Sequence, residues 1–166
     1  VSLIESFKSS SNIVPISITK KIGLKNIINL ANSFGLGYKQ EFKEFLSLAI
    51  GSYGDNLLNI TNAYSAINNN GSIQSASILE KIESFNKKPI WENKSISKKI
   101  LDLKVNKKIN KLLEKSVKEG TSKAAAIKGK RIYGKTGTSD GNKDLWFIGS
   151  IDNLTTGIWI GYDDNK

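Results

Sequence analysis

Apolar positions change their spacing twice along this chain, and each change predicts a different kind of element. Leu3, Ile4 and Phe7 share one side of a short amphipathic helix. Pro15 falls early in a second helix, where a missing amide costs least. Leu24, Ile27, Ile28, Ala31 and Phe34 then recur at helical spacing, and Gly35 supplies the stop. Phe42, Phe45, Leu46 and Ala49 mark another short helix, ending near Gly51. Leu57, Ile60, Tyr64 and Ile67 form the next, ended by Asn68-Asn69-Asn70-Gly71. All of these apolar faces, Tyr64 included, are expected in the core.

From Ser72 to Asn93 the pattern shortens and alternates. Residues 78–84 and 88–92 are expected to pair as a hairpin across Phe85-Asn86-Lys87. Helical spacing returns over residues 105–119, with Ile109, Leu112, Leu113 and Val117 inward and Gly120 as the stop. The last third predicts three strands, 130–138, 143–151 and 155–162, joined by Asp140-Gly141-Asn142 and Asp152-Asn153. Links this short make the strands antiparallel. The expected fold is α/β of the α+β type: an antiparallel sheet packed by helices, forming one domain or a large part of one over residues 1–166.

Composition narrows the chemistry. At 39% hydrophobic residues the chain can build a core, yet no run is long and apolar enough to span a bilayer. Without cysteine there is no disulfide or thiolate chemistry. Without histidine there is no Ser-His-Asp triad in this chain and no ordinary zinc site. Proton transfer near neutral pH must use a lysine of lowered pKa, a carboxylate or a relay of hydroxyls. The net charge of +10 comes almost wholly from lysine, since Arg131 is the only arginine. Readers of base edges favour arginine, so solvated lysine faces are expected and not a nucleic-acid site.

The most informative stretch is Lys135-Thr136-Gly137-Thr138-Ser139 at the rim of the predicted sheet. Its ammonium and hydroxyl suit charge-assisted capture of a peptide carboxylate, and glycine lets the ligand backbone approach. Far upstream, Ser10-Ser11-Asn12 precedes Ile13-Val14-Pro15. That cluster could serve as a plain helix cap. The stretch from Gly129 to Thr136 also fits the letters of a phosphate-binding Gly-x4-Gly-Lys-Thr loop. Ile132 and Tyr133 stiffen what should be a loop, and no helix is expected after Thr136.

Taken together, these segments resemble the transpeptidase domain of penicillin-binding proteins, particularly the bifunctional class A that also carries a glycosyltransferase. Ser10-Ser11-Asn12 is similar to the family's Ser-x-Asn element and Lys135-Thr136-Gly137 to its Lys-Thr-Gly. Leu48-Ala49-Ile50-Gly51-Ser52, Ala63-Tyr64-Ser65-Ala66 and Gly120-Thr121-Ser122-Lys123-Ala124-Ala125 resemble further family signatures, in the right order. Asp144-Leu145-Trp146-Phe147-Ile148-Gly149 and Trp159-Ile160-Gly161-Tyr162-Asp163-Asp164-Asn165 resemble its last two strands.

The resemblance implies a β-lactamase/transpeptidase-like fold, serine acyl transfer on D-Ala-D-Ala stem peptides of peptidoglycan, and acylation by β-lactams. It implies no metal and no organic cofactor. Lys135 would hold the substrate carboxylate with Thr136, while Gly137 and Thr138 line the cleft, the Thr138 amide completing an oxyanion hole. Ser10 would relay a proton to the leaving group, and Asn12 would orient the substrate amide. Trp146 and Trp159 are expected to pack the sheet. The implied location is the periplasmic or extracytoplasmic face of the bacterial inner membrane, with the membrane reached through a missing N-terminal part and cell-wall synthesis proteins as possible partners.

The family's Ser-x-x-Lys nucleophile lies before Ser-x-Asn. Here only nine residues precede Ser10, there is no methionine, and the Ser-x-x-Lys matches at Ser17, Ser84 and Ser95 all follow it. The chain is therefore expected to be a C-terminal fragment without its nucleophile, inert alone. The alternatives are a non-catalytic peptidoglycan-binding module that keeps the carboxylate cleft, a β-lactamase relative, and a P-loop nucleotide binder.

Overall fold

A computed structural model describes residues 1–37 and 45–162. Five helices occur among them: α1 (Leu3–Lys8), α2 (Ile13–Ile22), α3 (Leu24–Ser33), α4 (Leu57–Asn68) and α5 (Leu103–Glu119). Short 3-10 turns occupy Leu46–Ile50, Lys123–Ala125 and Asp140–Asn142. β1 (Ser72–Ile73) pairs with β4 (Lys98–Lys99), and β2 (Lys81–Glu83) with β3 (Pro89–Glu92). The main sheet is an antiparallel meander of β5 (Ile132–Thr138), β6 (Asp144–Ile151) and β7 (Leu154–Gly161), in that spatial order. The predicted position Phe42 lies outside the described residues, as do Asp163, Asp164 and Asn165.

Local chemistry starts the two packing helices. Asn56 accepts a hydrogen bond from the Asn59 amide at 2.8 Å, and Asp102 accepts one from the Val105 amide at 2.8 Å. Each satisfies an amide the helix itself cannot. Both helices then bury small or apolar residues against the meander. Ala63 and Ala66 of α4, Leu113 and Val117 of α5, Leu101, Ile132 and Ile148 make the core.

Close approach sets the sheet's glycines. Gly134 and Gly149 face each other across β5 and β6, with the Phe147 ring over both. A Cβ would lie 2.8 Å from that ring at Gly134 and 2.6 Å at Gly149. Val117 of α5 packs on this face. On the opposite face, which carries Ile148 and Gly157, α4 brings Leu57 and Thr61 against the sheet. Trp146 and Trp159 stand opposite each other on β6 and β7, ring centroids 6.4 Å apart, and the Trp159 indole donates to Asp144 at 2.9 Å. Both tryptophans pack the sheet, as expected.

The first helices depart from expectation. α3 has no buried residue and α2 buries only Thr19, while Ile13, Ile18, Ile22 and Leu30 are exposed. Among the described residues their main neighbours are each other, α1 and the Leu46–Ile50 turn, and these leave their apolar sides partly uncovered. Tyr64, Ile109 and Leu112 are half-buried. The predicted hairpin exists but starts at Lys81, leaving Ile78 fully exposed, and its register slips between Ile82 and Glu83. The β1–β4 pair has no counterpart in the predicted elements, because two residues per strand leave no periodic trace.

Gly157 offers a direct check of this packing. A Cβ there would sit 2.0 Å from the Thr61 hydroxyl oxygen and 3.0 Å from Leu57. Gly157→Ala is expected to destabilise the fold by about 2 kcal/mol in urea denaturation. Adding Thr61→Ala should recover part of that loss, a non-additivity reserved for residues in contact.

Candidate active site

The N-terminal half of the site is made by how α1 ends. The Ser11 amide donates to the Ser6 carbonyl at 2.9 Å, and the Ser10 amide to the Phe7 carbonyl at 3.2 Å. This paired closure places Ser10 at the left-handed position, with φ of 55°. Glycine usually stands there, since a side chain at positive φ costs about 1 kcal/mol. Asn12 follows at the start of α2 in helical conformation, exposed, with its side chain making no capping bond. The helix-cap alternative for Asn12 is not realised.

The other half comes from β5. Lys135 is half-buried at the sheet's edge strand, and its ammonium donates to the Ser10 hydroxyl and, at 3.0 Å, to the Thr136 carbonyl. It also lies 6.0 Å from the centre of the Phe7 ring. Burial pushes its pKa below the usual lysine value. Among the described residues no carboxylate comes within ion-pair distance of it. A partly desolvated ammonium held only by neutral oxygens keeps its capacity for a charge-assisted bond to an anion.

Thr121 joins the two halves. Its hydroxyl is 3.3 Å from that of Ser10 and 2.8 Å from that of Thr136, and its amide donates to the Lys8 carbonyl at 3.0 Å. The turn is pressed so closely on α1 that a Cβ at Gly120 would lie 2.3 Å from the Lys8 carbonyl oxygen. Lys8 adds ion pairs to Glu5 at 2.9 Å and Glu119 at 3.5 Å. Behind the turn, Ser116 and Ser122 share a buried hydrogen bond of 3.0 Å. Sequence reading passed over Thr121 as a site residue, although it stood inside a recognised Gly-Thr-Ser turn.

Gly137 and Thr138 lie exposed at the end of β5, paired with Trp146 and Leu145. The next turn is closed by Ser139, whose hydroxyl donates to the Asp144 carboxylate at 2.8 Å and accepts from the Asp144 amide at 2.8 Å. The Trp159 and Ser139 hydrogen bonds hold the Asp144 carboxyl below its usual pKa. The structure thus brings Ser10, Lys135 and Thr136 together, with Asn12 two residues from Ser10 and Gly137 and Thr138 next along the strand. Residues 132–136 of the phosphate-loop pattern are strand, and β6 follows after one short turn. No loop feeds a helix there, so the nucleotide-binding alternative is lost.

Comparisons with known proteins identify the family. The family model for the penicillin binding protein transpeptidase domain matches residues 1–163, and the chain belongs to that family. It is 31% identical over 183 residues to penicillin-binding protein 1A of Rickettsia prowazekii, covering 96% of this chain and 23% of that protein. It superposes on penicillin-binding protein 1A of Haemophilus influenzae with a TM-score of 0.89 at 23% identity, covering 99% of this chain and 30% of the other. An imipenem acyl-enzyme complex of penicillin-binding protein A from M. tuberculosis matches with a TM-score of 0.81 at 18% identity, over 97% of this chain and 42% of that one. The fold is β-lactamase/transpeptidase-like. The chain spans about a quarter of the length of the curated relatives it matches.

The backbone conformation at Ser10 can be separated from its hydroxyl. Ser10→Gly and Ser10→Ala both remove the hydroxyl, but only glycine relieves the positive φ. The glycine variant is expected to be the more stable of the two by about 1 kcal/mol in chemical denaturation.

Lys135 carries a second expectation. Burial lowers its folded pKa below the unfolded one, so between the two midpoints the unfolded chain binds more protons and stability rises with pH. A carbon-13 titration of the lysine side chains should place the Lys135 midpoint below about 10.4. Lys135→Met should remove that part of the alkaline rise in stability.

Proposed function

We propose that this chain supplies the carboxylate-gripping and proton-relaying side of a serine D,D-transpeptidase site that crosslinks peptidoglycan. One observation carries the reading. Lys135, with no carboxylate partner among the described residues, meets Ser10 across 125 positions of sequence, within a chain of the transpeptidase family. In this reading the terminal carboxylate of a D-Ala-D-Ala stem peptide sits against Lys135 and Thr136. Gly137 lets the peptide lie along the rim of β5. Asn12 orients the scissile amide, and the Thr138 amide faces the oxyanion as a serine oxygen attacks the carbonyl carbon, its proton passing to the lysine of its own Ser-x-x-Lys segment. The carbon–nitrogen bond then breaks, Ser10 hands a proton to the departing D-alanine nitrogen, and an amine from a neighbouring stem peptide takes the acyl group. A β-lactam follows the same path up to the acyl-enzyme, with its own carboxylate on Lys135 and Thr136.

The attacking serine is proposed to come from a Ser-x-x-Lys segment preceding Ser10 in the family's order. The pairs inside the chain do not serve. Ser17 and Lys20 lie on α2, Ser84 and Lys87 flank the hairpin loop, and Ser95 precedes β4, none hydrogen-bonded to Ser10 or Lys135. Among the described residues no helix is long and apolar enough to cross a membrane. The proposed place of action is the extracytoplasmic face of a bacterial membrane, where peptidoglycan lies, within a class A protein that also holds a glycosyltransferase. The net charge of +10 would draw the chain toward acidic wall polymer, an attraction that salt weakens.

Fluorescent penicillin followed by intact-mass measurement tests the reading. The 166-residue chain is expected to take no label, and the complete polypeptide to take one acyl group. Lys135→Met in the complete polypeptide should slow labelling by about 10- to 100-fold, the loss of one charge-assisted carboxylate contact. An adduct on Ser17 in the short chain would refute the assignment of the nucleophile. A complete polypeptide that binds stem peptide but takes no label would be the non-catalytic wall-binding module instead.

A further inference from the structure

The Thr121 hydroxyl stands between the two groups that handle the two ends of the departing amino acid. It is 2.8 Å from Thr136 and 3.3 Å from Ser10, which in the proposed reading face the carboxylate and the nitrogen. Its place is held independently of either, by the hydrogen bond its backbone amide donates to the Lys8 carbonyl and by the Ser116–Ser122 hydrogen bond behind the turn. A hydroxyl has one proton to give and two lone pairs to receive with. Thr121 can donate to Ser10 or to Thr136 but not to both, so the proton direction at one end constrains the other. When Thr136 donates outward to a carboxylate, Thr121 donates to Thr136 and accepts from Ser10. When Thr136 donates inward, Thr121 donates to Ser10, whose own proton is then free to face a leaving nitrogen. Lys135 donates to the Ser10 oxygen in either state.

We propose that Thr121 is a positioning residue whose hydroxyl couples carboxylate capture at Thr136 to the direction of the Ser10 proton. The inference rests on the transpeptidase reading and adds to it a residue outside Ser-x-Asn and Lys-Thr-Gly. Thr121 touches neither the acyl carbon nor the nucleophile; it acts through its two neighbours.

The test compares wild type, Thr121→Val and Thr121→Ser in the complete polypeptide, using benzylpenicillin and its methyl ester. The ester keeps the reactive ring and removes the carboxylate charge. Thr121→Val frees the Ser10 proton that a bound carboxylate otherwise draws inward, so it should raise the second-order acylation rate with the acid by about fivefold and change the rate with the ester by about twofold or less. Thr121→Ser should stay within about twofold of wild type on both. Equal changes on acid and ester, a loss on the acid, no change on either, or a serine variant that behaves like the valine would overturn the coupling. If the wild-type polypeptide takes no penicillin, the transpeptidase reading fails, and a second measurement on the 166-residue chain still decides the role of Thr121. The proton–proton couplings of the Ser10 side chain report its χ1 rotamer. One rotamer in wild type and Thr121→Ser, with averaging in Thr121→Val, supports the inference; the same couplings in all three refute it.

Discussion

A lysine ammonium, half out of water and without an anionic partner among the described residues, is the constraint around which this structure is arranged. Such a group must be surrounded by oxygens or lose its charge. Here the oxygens are a serine hydroxyl at the end of α1 and a carbonyl of its own strand. Neither neutralises it. The result is a positive group that is positioned but not satisfied, which is what recognition of a free carboxylate requires. Its position on an edge strand matters as much, because an extended peptide can reach it without opening the sheet.

Holding α1 against β5 takes more than that one contact. Gly120 has no side chain because the Lys8 carbonyl occupies the space, and the Lys8 ion pairs and the Thr121 amide fix the same corner. The ion pairs are exposed and contribute little individually. The close backbone approach and the buried serine pair behind it set the geometry. Across the sheet, Gly134, Gly149 and Gly157 play the matching part by letting Phe147, Thr61 and Leu57 come down onto the strands. Function and packing thus draw on the same resource, residues small enough for two backbones to approach.

Much of this was legible in the residues. The meander declared itself through alternation and two strong turn signals, and α5 through Leu113 and Val117 recurring on one side with Gly120 after them. Ser10, Lys135 and Thr136 were identified as companions by motif order, although nothing in local pattern brings them together. Two things were not legible. Apolar spacing in α3 says that one side can be buried, but not how completely a neighbour buries it; Leu24, Ile27, Ile28, Ala31 and Phe34 read as core and are half-buried. The bridging role of Thr121 was hidden for another reason. A single hydroxyl in a turn has no periodicity, and its meaning comes from two partners, one 111 residues before it and one 15 after.

That separation has a consequence for how the protein comes into being. Ser10 leaves the ribosome 125 residues before Lys135 does. The helix α1 must wait, its strained serine idle, until β5 exists to receive it. Reactivity toward a substrate mimic therefore reports that α1 has docked on β5, and no earlier stage of folding can imitate it.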